Sequence, residues 1–299
     1  PRNIMNPCQT RELVLSLQKY SCTPLLVAVD AEGGRVNRLN PKYGFPEVPS
    51  AAEAGKMKDS NIREVYLRLA GQLAGLGINM NLAPVVDINL NPGNPVIGAL
   101  DRAFAADPDT VTKCARIFIS AHHKFSILTA IKHFPGHGSS QEDSHKGMTD
   151  ITETYQQQES IPFKRIITAG LADAVMTAHV VNRNIDPNHP ATLSSRYIKD
   201  ILRNKWGYTG VVISDDLHMG AVLNHYSFSE AVVKAVEAGC DLLAVSNNGR
   251  IYDGEAAYKA RDALLKAVHE GHISEERINR SCRRIMQLKK KAGLVKPKL

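Results

Sequence analysis

The chain has 299 residues, 43% of them hydrophobic, and a formal net charge of +7. This apolar content supplies a full hydrophobic core, and a charged fraction of 22% excludes an intrinsically disordered chain. Only 6% of the residues are aromatic and no basic stripe is interleaved with them, which argues against a nucleic-acid partner.

The cysteine pattern and the lack of long apolar runs bear on location. The five cysteines are scattered and include no C-x-x-C pair, which disfavours a disulfide framework and a zinc ribbon and favours a reducing compartment. No apolar run approaches the roughly 20 residues that a membrane span needs. We therefore expect a cytoplasmic protein without a membrane span. Because the chain opens PRNIMNP without an initiating methionine, a periplasmic or exported form stays open.

Short apolar runs alternate along the chain with helical patterns. The runs are nearly continuous, as is typical of parallel strands covered on both faces, and occupy residues 23–30, 78–88, 127–134, 172–180, 209–216 and 240–247. Pro162 suits a first helical turn, and Gly271 suits a helix C-cap. The apolar helix faces predicted are Val65, Leu69 and Leu73 within residues 61–76, and Ile278, Cys282, Ile285 and Met286 within residues 275–291.

This alternation predicts an α/β fold, and the ends of the strand-like runs favour a (β/α)8 TIM-type barrel in a single domain over residues 1–299. Each run ends in polar residues, and a barrel brings all such ends to one mouth, whereas an open sheet converges only at a switch point. Six strands are evident, so the first is missing or degenerate and the eighth falls near residues 249–254 or is degenerate. The polar run ends are Asp30, Asp87, Lys132, His133, His179, Asp215, Asp216, Ser246 and Asn247.

Two adjacent carboxylates, Asp215 and Asp216, end the run GVVISDD. Adjacent side chains on a strand point in opposite directions, so at most one faces the mouth. One interpretation is a helix cap beside an ion pair. The other is a carboxylate nucleophile.

The segment KHFPGHGSSQEDSH, residues 132–145, follows a strand with a glycine- and serine-rich loop. Asp143 precedes His145 by two residues and can accept its ring N–H, which would make His145 a general acid/base. A solvated loop without chemistry and a metal site are the alternatives. The candidate ligands are His133, His137, Asp143 and His145, whose spacings match no established metal motif.

Several segments together resemble glycoside hydrolase family 3, and within it the bacterial β-N-acetylglucosaminidase branch. The motifs are AVDAEGGRVNRL, NPVIGALDRAFAADP, KHFPGHG followed by DSH, and GYTGVVISDDL, and they cover nearly the whole chain. The chain departs from the family pattern at Ala103, where a serine is usual, and in LHMGA after the second carboxylate of ISDD. Both departures leave the leaving-group specificity open.

The resemblance implies a retaining mechanism with Asp215 as nucleophile and His145 as acid/base, partnered by Asp143. It also implies no metal or cofactor and, as substrates, peptidoglycan-derived fragments in which N-acetylglucosamine is linked to 1,6-anhydro-N-acetylmuramic acid. We expect a monomer that acts on this small carbohydrate. The residues expected to hold the sugar are Asp30, Arg102, Lys132 and His133, and the position of His179 at the same mouth adds it to them.

Other functions stay open at this point. A phosphorylase or a β-glucosidase of the same family would use the same groups, and a metal-dependent hydrolase is another enzyme class. A carbohydrate-binding barrel without catalysis is the alternative outside enzymes, although a binder has no need of the trio Asp143, His145 and Asp215.

Overall fold

The computed structural model describes residues 3–144, 147–246 and 252–295. Its main sheet has five strands whose neighbouring pairs are all parallel and whose spatial order follows the order of the chain. The main-sheet strands are β1 (Ala28–Val29), β4 (Met80–Asn81), β5 (Leu128–Phe134), β7 (Ala174–Thr177) and β9 (Val211–Ile213), and the remaining strands are β2 (Ala31–Gly33), β3 (Val36–Asn37), β6 (Thr149–Asp150) and β8 (Val180–Val181).

The predicted strand runs coincide with this sheet. Five of the six contain a main-sheet strand, and the sixth contributes Leu242, which forms a parallel bridge with Ile213 of β9. The α/β class is therefore confirmed. The closed barrel stays a prediction, because the described residues show five strands and this bridge, and residues 249–251 of the proposed eighth strand lie outside them.

Helices alternate with the main-sheet strands. Ser50, Asp107, Ser227 and Ser274 each begin a helix by accepting a backbone N–H with their side chain, which satisfies a donor that the first turn leaves unpaired. The helices are α1 (Pro7–Tyr20), α2 (Ala51–Gly55), α3 (Asp59–Gly75), α4 (Pro108–His123), α5 (Ile161–Thr168), a π-helix (Arg196–Lys205), α6 (Gly220–Leu223), α7 (Phe228–Ala238), α8 (Ala256–His269) and α9 (Glu275–Lys291).

The predicted helix signals hold at three places. Pro162 lies in the first turn of α5, and Gly271, with φ of +77°, follows the C-cap of α8. In α3, Leu69 and Leu73 are buried, together with Tyr66, whose ring meets Phe118 of α4 edge-on at 4.6 Å between centroids. Each such buried side chain contributes about 1.5–3 kcal/mol, so this contact fixes α3 against α4.

The predicted face of α9 is wrong at Cys282, which is exposed. Ile278 and Ile285 of that face are half-buried and pack against the core, but the buried residues of the helix are Arg277, Ser281 and Leu288. The reason is electrostatic: the fully buried carboxylate of Asp241 accepts from the Ser281 hydroxyl at 2.6 Å, and Arg277 Nη1 lies 3.5 Å from the same oxygen. These contacts turn the polar side chains of Arg277 and Ser281 towards the interior. The spacing of apolar residues in the sequence does not reveal this.

A small parallel pair frames the loop that follows β5. Strand β6 pairs with β8, so Thr149 lies beside Val180 and Asp150 beside Val181. The loop therefore leaves the main sheet at Phe134 and ends next to the segment that carries His179. Across the described ranges, no helix is both long and apolar enough to cross a bilayer.

Candidate active site

The carboxyl ends of the main-sheet strands carry the predicted polar residues. Asp30 directly follows β1, Lys132 and His133 lie near the carboxyl end of β5, and Asp215 comes two residues after β9. Since neighbouring parallel strands end at the same edge of a sheet, these side chains meet above it. Together with Arg102, which contacts His133, they form a charged cluster that we call the polar ring. The contacts within this ring determine what it can bind.

Two cations of this ring share one buried carboxylate, Glu32. Arg102 donates from Nε and Nη2 to the two oxygens of Glu32, both at 2.8 Å, and Lys132 Nζ lies 2.6 Å from Glu32 and 2.9 Å from Asp30. Burial alone would raise the pKa of Glu32, but the charges of Arg102 and Lys132 outweigh it and hold that pKa far below its ordinary value. Glu32 is therefore a permanent anion.

Asp30 is the more accessible acid of the pair. Its side chain is 27% exposed, against 4% for Glu32, and its second oxygen lies 3.6 Å from Arg38. The side chain of Lys132 is 3% exposed, and its ammonium group holds Asp30 in place. Asp30 can therefore accept hydrogen bonds from hydroxyl groups above the sheet, while Glu32 supports it from beneath.

His133 has a defined tautomer. Its Nε2 is 3.1 Å from Arg102 Nη2, which can only donate, so Nε2 accepts and the ring proton lies on Nδ1. Nδ1 donates to Asp87 at 2.7 Å. Burial tends to raise the pKa of Asp87, but His133, which also donates its backbone N–H, and His137 lower it below its ordinary range. Asp87 thus fixes the ring orientation of His133.

The two adjacent carboxylates after β9 face different surroundings, as the pleat requires. Asp216 accepts from the backbone N–H of His218 at 3.1 Å and of Ser246 at 2.9 Å, and from the Ser246 hydroxyl. It therefore holds the connecting loops together. Asp215 accepts only the Asp216 N–H, at 2.8 Å, among the hydrogen bonds of the described residues.

Asp215 faces the polar ring. Burial would raise the pKa of its carboxyl, but the neighbouring imidazoles of His179 and His133, the Asp216 N–H and the charge of Lys132 lower that pKa below its ordinary value. Asp215 is therefore ionised at neutral pH. His179 donates from Nε2 to the backbone carbonyl of Asp216 at 2.9 Å, and its ring lies close enough to Asp215 to influence that carboxylate.

The base of the loop after β5 is held by a buried acid, Glu159. One oxygen of Glu159 accepts the backbone N–H groups of Gly138 and Ser139 at 3.0 and 3.2 Å. The backbone packs so closely here that a Cβ on Gly138 would lie 1.7 Å from the carbonyl oxygen of Ile88. Burial raises the pKa of Glu159, although the hydrogen bonds that it accepts from Ser139 and Gln156 oppose this shift.

His137 completes the base of this loop. Its backbone N–H donates to Asp87 at 2.9 Å, its Nδ1 lies 2.6 Å from the Ser140 hydroxyl, and its Nε2 lies 3.1 Å from the Ser144 hydroxyl. Asn94 donates to both the His137 carbonyl and the Ser140 hydroxyl. The ring is thus built into the interior rather than offered to a substrate.

Asp143, the proposed partner of the acid/base, lies further along the same loop. It is half-buried, and its carbonyl accepts the Gly147 N–H at 3.3 Å. His145 lies outside the described residues. The position of its ring is therefore a prediction from the sequence alone.

The structure reveals partners that sequence reasoning left out of the site. Glu32 and Asp87 are acids at or near the ends of the strand-like runs, so their position in the sequence could have added them to the predicted site. Glu159 and Arg38 carry no local signal, because they reach the site only through tertiary contacts. Within the described ranges, no three His, Cys, Asp or Glu side chains form a group that could hold a metal ion.

Comparison with known proteins settles the family. Residues 1–288 match the model of the glycosyl hydrolase family 3 N-terminal domain. The chain belongs to this family. A relative named beta-hexosaminidase from Nitrosomonas eutropha is 36% identical over 83% of this chain and 72% of its own length. One of the same name from Xylella fastidiosa is 38% identical over 89% of this chain and 80% of its own.

Solved structures of the family agree with this assignment. A family 3 beta-N-acetylglucosaminidase from Paenibacillus superposes with a TM-score of 0.91 at 39% identity, over 100% of this chain and 57% of that one. A beta-N-acetylhexosaminidase from Beutenbergia cavernae gives 0.85 at 31% identity, over 95% of this chain and 84% of that one. This family 3 domain thus spans little more than half the length of the Paenibacillus protein.

Proposed function

We propose that this domain is a retaining exo-β-N-acetylglucosaminidase. Asp215 attacks the anomeric carbon and forms a glycosyl-enzyme, while His145, oriented by Asp143, protonates the leaving oxygen and then activates water. The observation that carries this proposal is the contrast between Asp215 and Asp216. Asp216 is saturated by loop contacts, whereas Asp215 is held ionised beside three imidazoles and an ammonium group.

The polar ring suits a sugar with several hydroxyl groups. Asp30 offers acceptor oxygens, and within the described ranges the Lys132 ammonium has two carboxylate partners for its three N–H groups. Arg102 and His133 hold each other and line the floor, and His179 lies on the nucleophile side. The imidazole of His145 can supply a proton near neutral pH without placing another negative charge beside Asp215.

The substrate class follows from the family. The relatives named beta-hexosaminidase and beta-N-acetylglucosaminidase support a non-reducing-end N-acetylglucosamine, and we extend this to anhydro-muropeptide fragments of peptidoglycan. We further propose a closed (β/α)8 barrel, supported by strands that follow chain order without reversal, and a monomer acting in the cytoplasm. No cofactor enters the proposed reaction.

The test combines trapping with two variants. A 2-deoxy-2-fluoro glycoside with an activated leaving group should label the protein, and peptide mapping should place the label on Asp215 rather than on Asp216. Asp215→Ala should lose at least about 10⁴-fold in kcat, because the covalent route is removed. Label on another residue, or none while turnover continues, would contradict the nucleophile assignment.

The same assay tests the acid. His145→Ala should lower kcat/KM by about 10²–10⁴-fold for an alkyl N-acetylglucosaminide and far less for the 2,4-dinitrophenyl glycoside, whose leaving group needs no proton. Exposed Asp109→Asn is the matched control and should leave both rates unchanged. Adding inorganic phosphate separates a phosphorylase, which would release the sugar 1-phosphate.

A further inference from the structure

Ser144 occupies a special place in the loop after β5, because it lies between Asp143 and His145 in sequence. Ser144 is buried. The hydroxyl lies 3.1 Å from His137 Nε2, and the carbonyl accepts the backbone N–H of Ala221 at 3.3 Å. Ser144 therefore joins the tip of the loop to the loop's own base and to the segment that follows Asp215.

The His137 end of this connection is rigid and uncharged. Burial lowers the pKa of His137 to about 4, although Asp87 opposes the shift. The ring is therefore neutral at pH 7, with one donor and one acceptor nitrogen, and the hydroxyls of Ser140 and Ser144 use both. Since Asp87 also holds His133, the support under Ser144 is continuous with the floor of the sugar site.

The Ala221 end ties the tip to the nucleophile segment. Ala221 lies in the first turn of α6, where backbone N–H groups have no partner within the helix. Its N–H is therefore available to the Ser144 carbonyl. Further on, Gly147 donates its backbone N–H to the Asp143 carbonyl, and β6 pairs with β8. The described backbone before and after residues 145–146 is thus anchored by hydrogen bonds.

We propose that Ser144 is a positioning residue that orients the Asp143–His145 pair towards the glycoside bond above Asp215. This inference rests on the proposed function and adds to it the means by which the loop tip is aimed. Without the Ser144 hydroxyl, the tip keeps its sequence and its chemistry but loses its attachment to His137. The acid then spends less time in line with the leaving oxygen, so only steps that need the proton slow down.

The test is Ser144→Ala assayed on aryl N-acetylglucosaminides with leaving groups of graded pKa. For the poorest leaving groups we expect kcat/KM to fall roughly ten- to a hundredfold, as a misplaced catalytic group does, and for 2,4-dinitrophenyl less than about twofold. Competitive inhibition by N-acetylglucosamine should be unchanged. His137→Gln should show the same dependence, and Ser144→Thr, which keeps the hydroxyl, should recover most of the loss.

Ser194→Ala is the matched control, because Ser194 is also buried but bonds to Asp186, outside this loop. Equal losses for all leaving groups, or no loss in Ser144→Ala, would overturn the positioning role. The series includes His145→Ala to keep the two hypotheses apart. If His145→Ala shows no leaving-group dependence, the proposed function fails. If His145→Ala shows it and Ser144→Ala does not, only the positioning role fails.

Discussion

The two ends of the main sheet both bury charge, but they use it differently. At the amino-terminal end, the side chains of Asp173 and Asp241 are fully buried. Asp241 accepts from Val212 N–H at 3.0 Å and from the Ser281 hydroxyl at 2.6 Å, and Arg203 Nη2 lies 2.7 Å away. At the carboxyl end, the side chain of Asp30 remains partly exposed.

The difference shows that a charged cluster does not by itself mark an active site. At the amino-terminal end, backbone N–H groups, hydroxyls and cations occupy the carboxylates, so they hold strands and helices together. At the carboxyl end, Glu32 and Asp87 do the same structural work, and we propose that Asp30 and Asp215 meet the ligand. The proposed site therefore differs from the amino-terminal cluster in having carboxylates whose oxygens can still accept hydrogen bonds from a ligand.

The largest effect is expected for Glu32→Gln, which removes the anion shared by Arg102 and Lys132. Two buried cations would then repel each other, at a cost of about 3–5 kcal/mol in the free energy of unfolding. Because Asp30 would lose its fixed position, kcat/KM should also fall about 10²-fold. Urea denaturation and steady-state assays measure both. A stable, fully active variant would contradict the proposal that Glu32 supports the residues that meet the ligand.

Asp241→Asn should affect only stability. It would leave Arg203, Arg277 and Arg284 without their common counter-ion, and we expect a loss of about 3–5 kcal/mol in the free energy of unfolding with unchanged kcat/KM in the folded protein. Exposed Arg68→Ala, which breaks an i,i+4 pair with Glu64, serves as control and should cost less than about 0.5 kcal/mol. A catalytic defect in Asp241→Asn would show that the two ends are coupled.

The smallest effect concerns pH. Burial lowers the pKa of His122 from its ordinary 6.5 to about 4, so between these values the unfolded chain binds a proton that the folded chain does not. The free energy of unfolding is therefore highest above pH 6.5 and falls as the pH drops towards 4, by up to about 3 kcal/mol for this group. His137 adds a similar slope from the carboxyl end.

His122→Gln should flatten this slope in urea titrations between pH 7 and pH 4.5, whereas exposed His272→Gln should not. An unchanged slope in His122→Gln would mean that other groups set the acid stability. The slope that remains in His122→Gln would contain the contribution of the other buried histidine, His137.

The sequence predicts the scaffold and the candidate residues better than their connections. Continuous apolar runs locate the strands because both faces are covered, and the polar residues at their ends are visible without coordinates. The pairing of Arg102 with Glu32 spans seventy positions and leaves no local pattern. The same limit explains the error at Cys282, since the buried face of α9 is chosen by a carboxylate on another element.

The close approach at Gly138 has a consequence for how this segment can change through evolution. No side chain fits against Ile88, so the entry to the loop tolerates no substitution, while Gln141 and Glu142, a few residues on, are exposed and face no such restriction. We therefore expect substitutions in this loop to accumulate at exposed positions such as Gln141 and Glu142. Tolerance in a saturation-mutagenesis library should rise abruptly between these neighbouring positions.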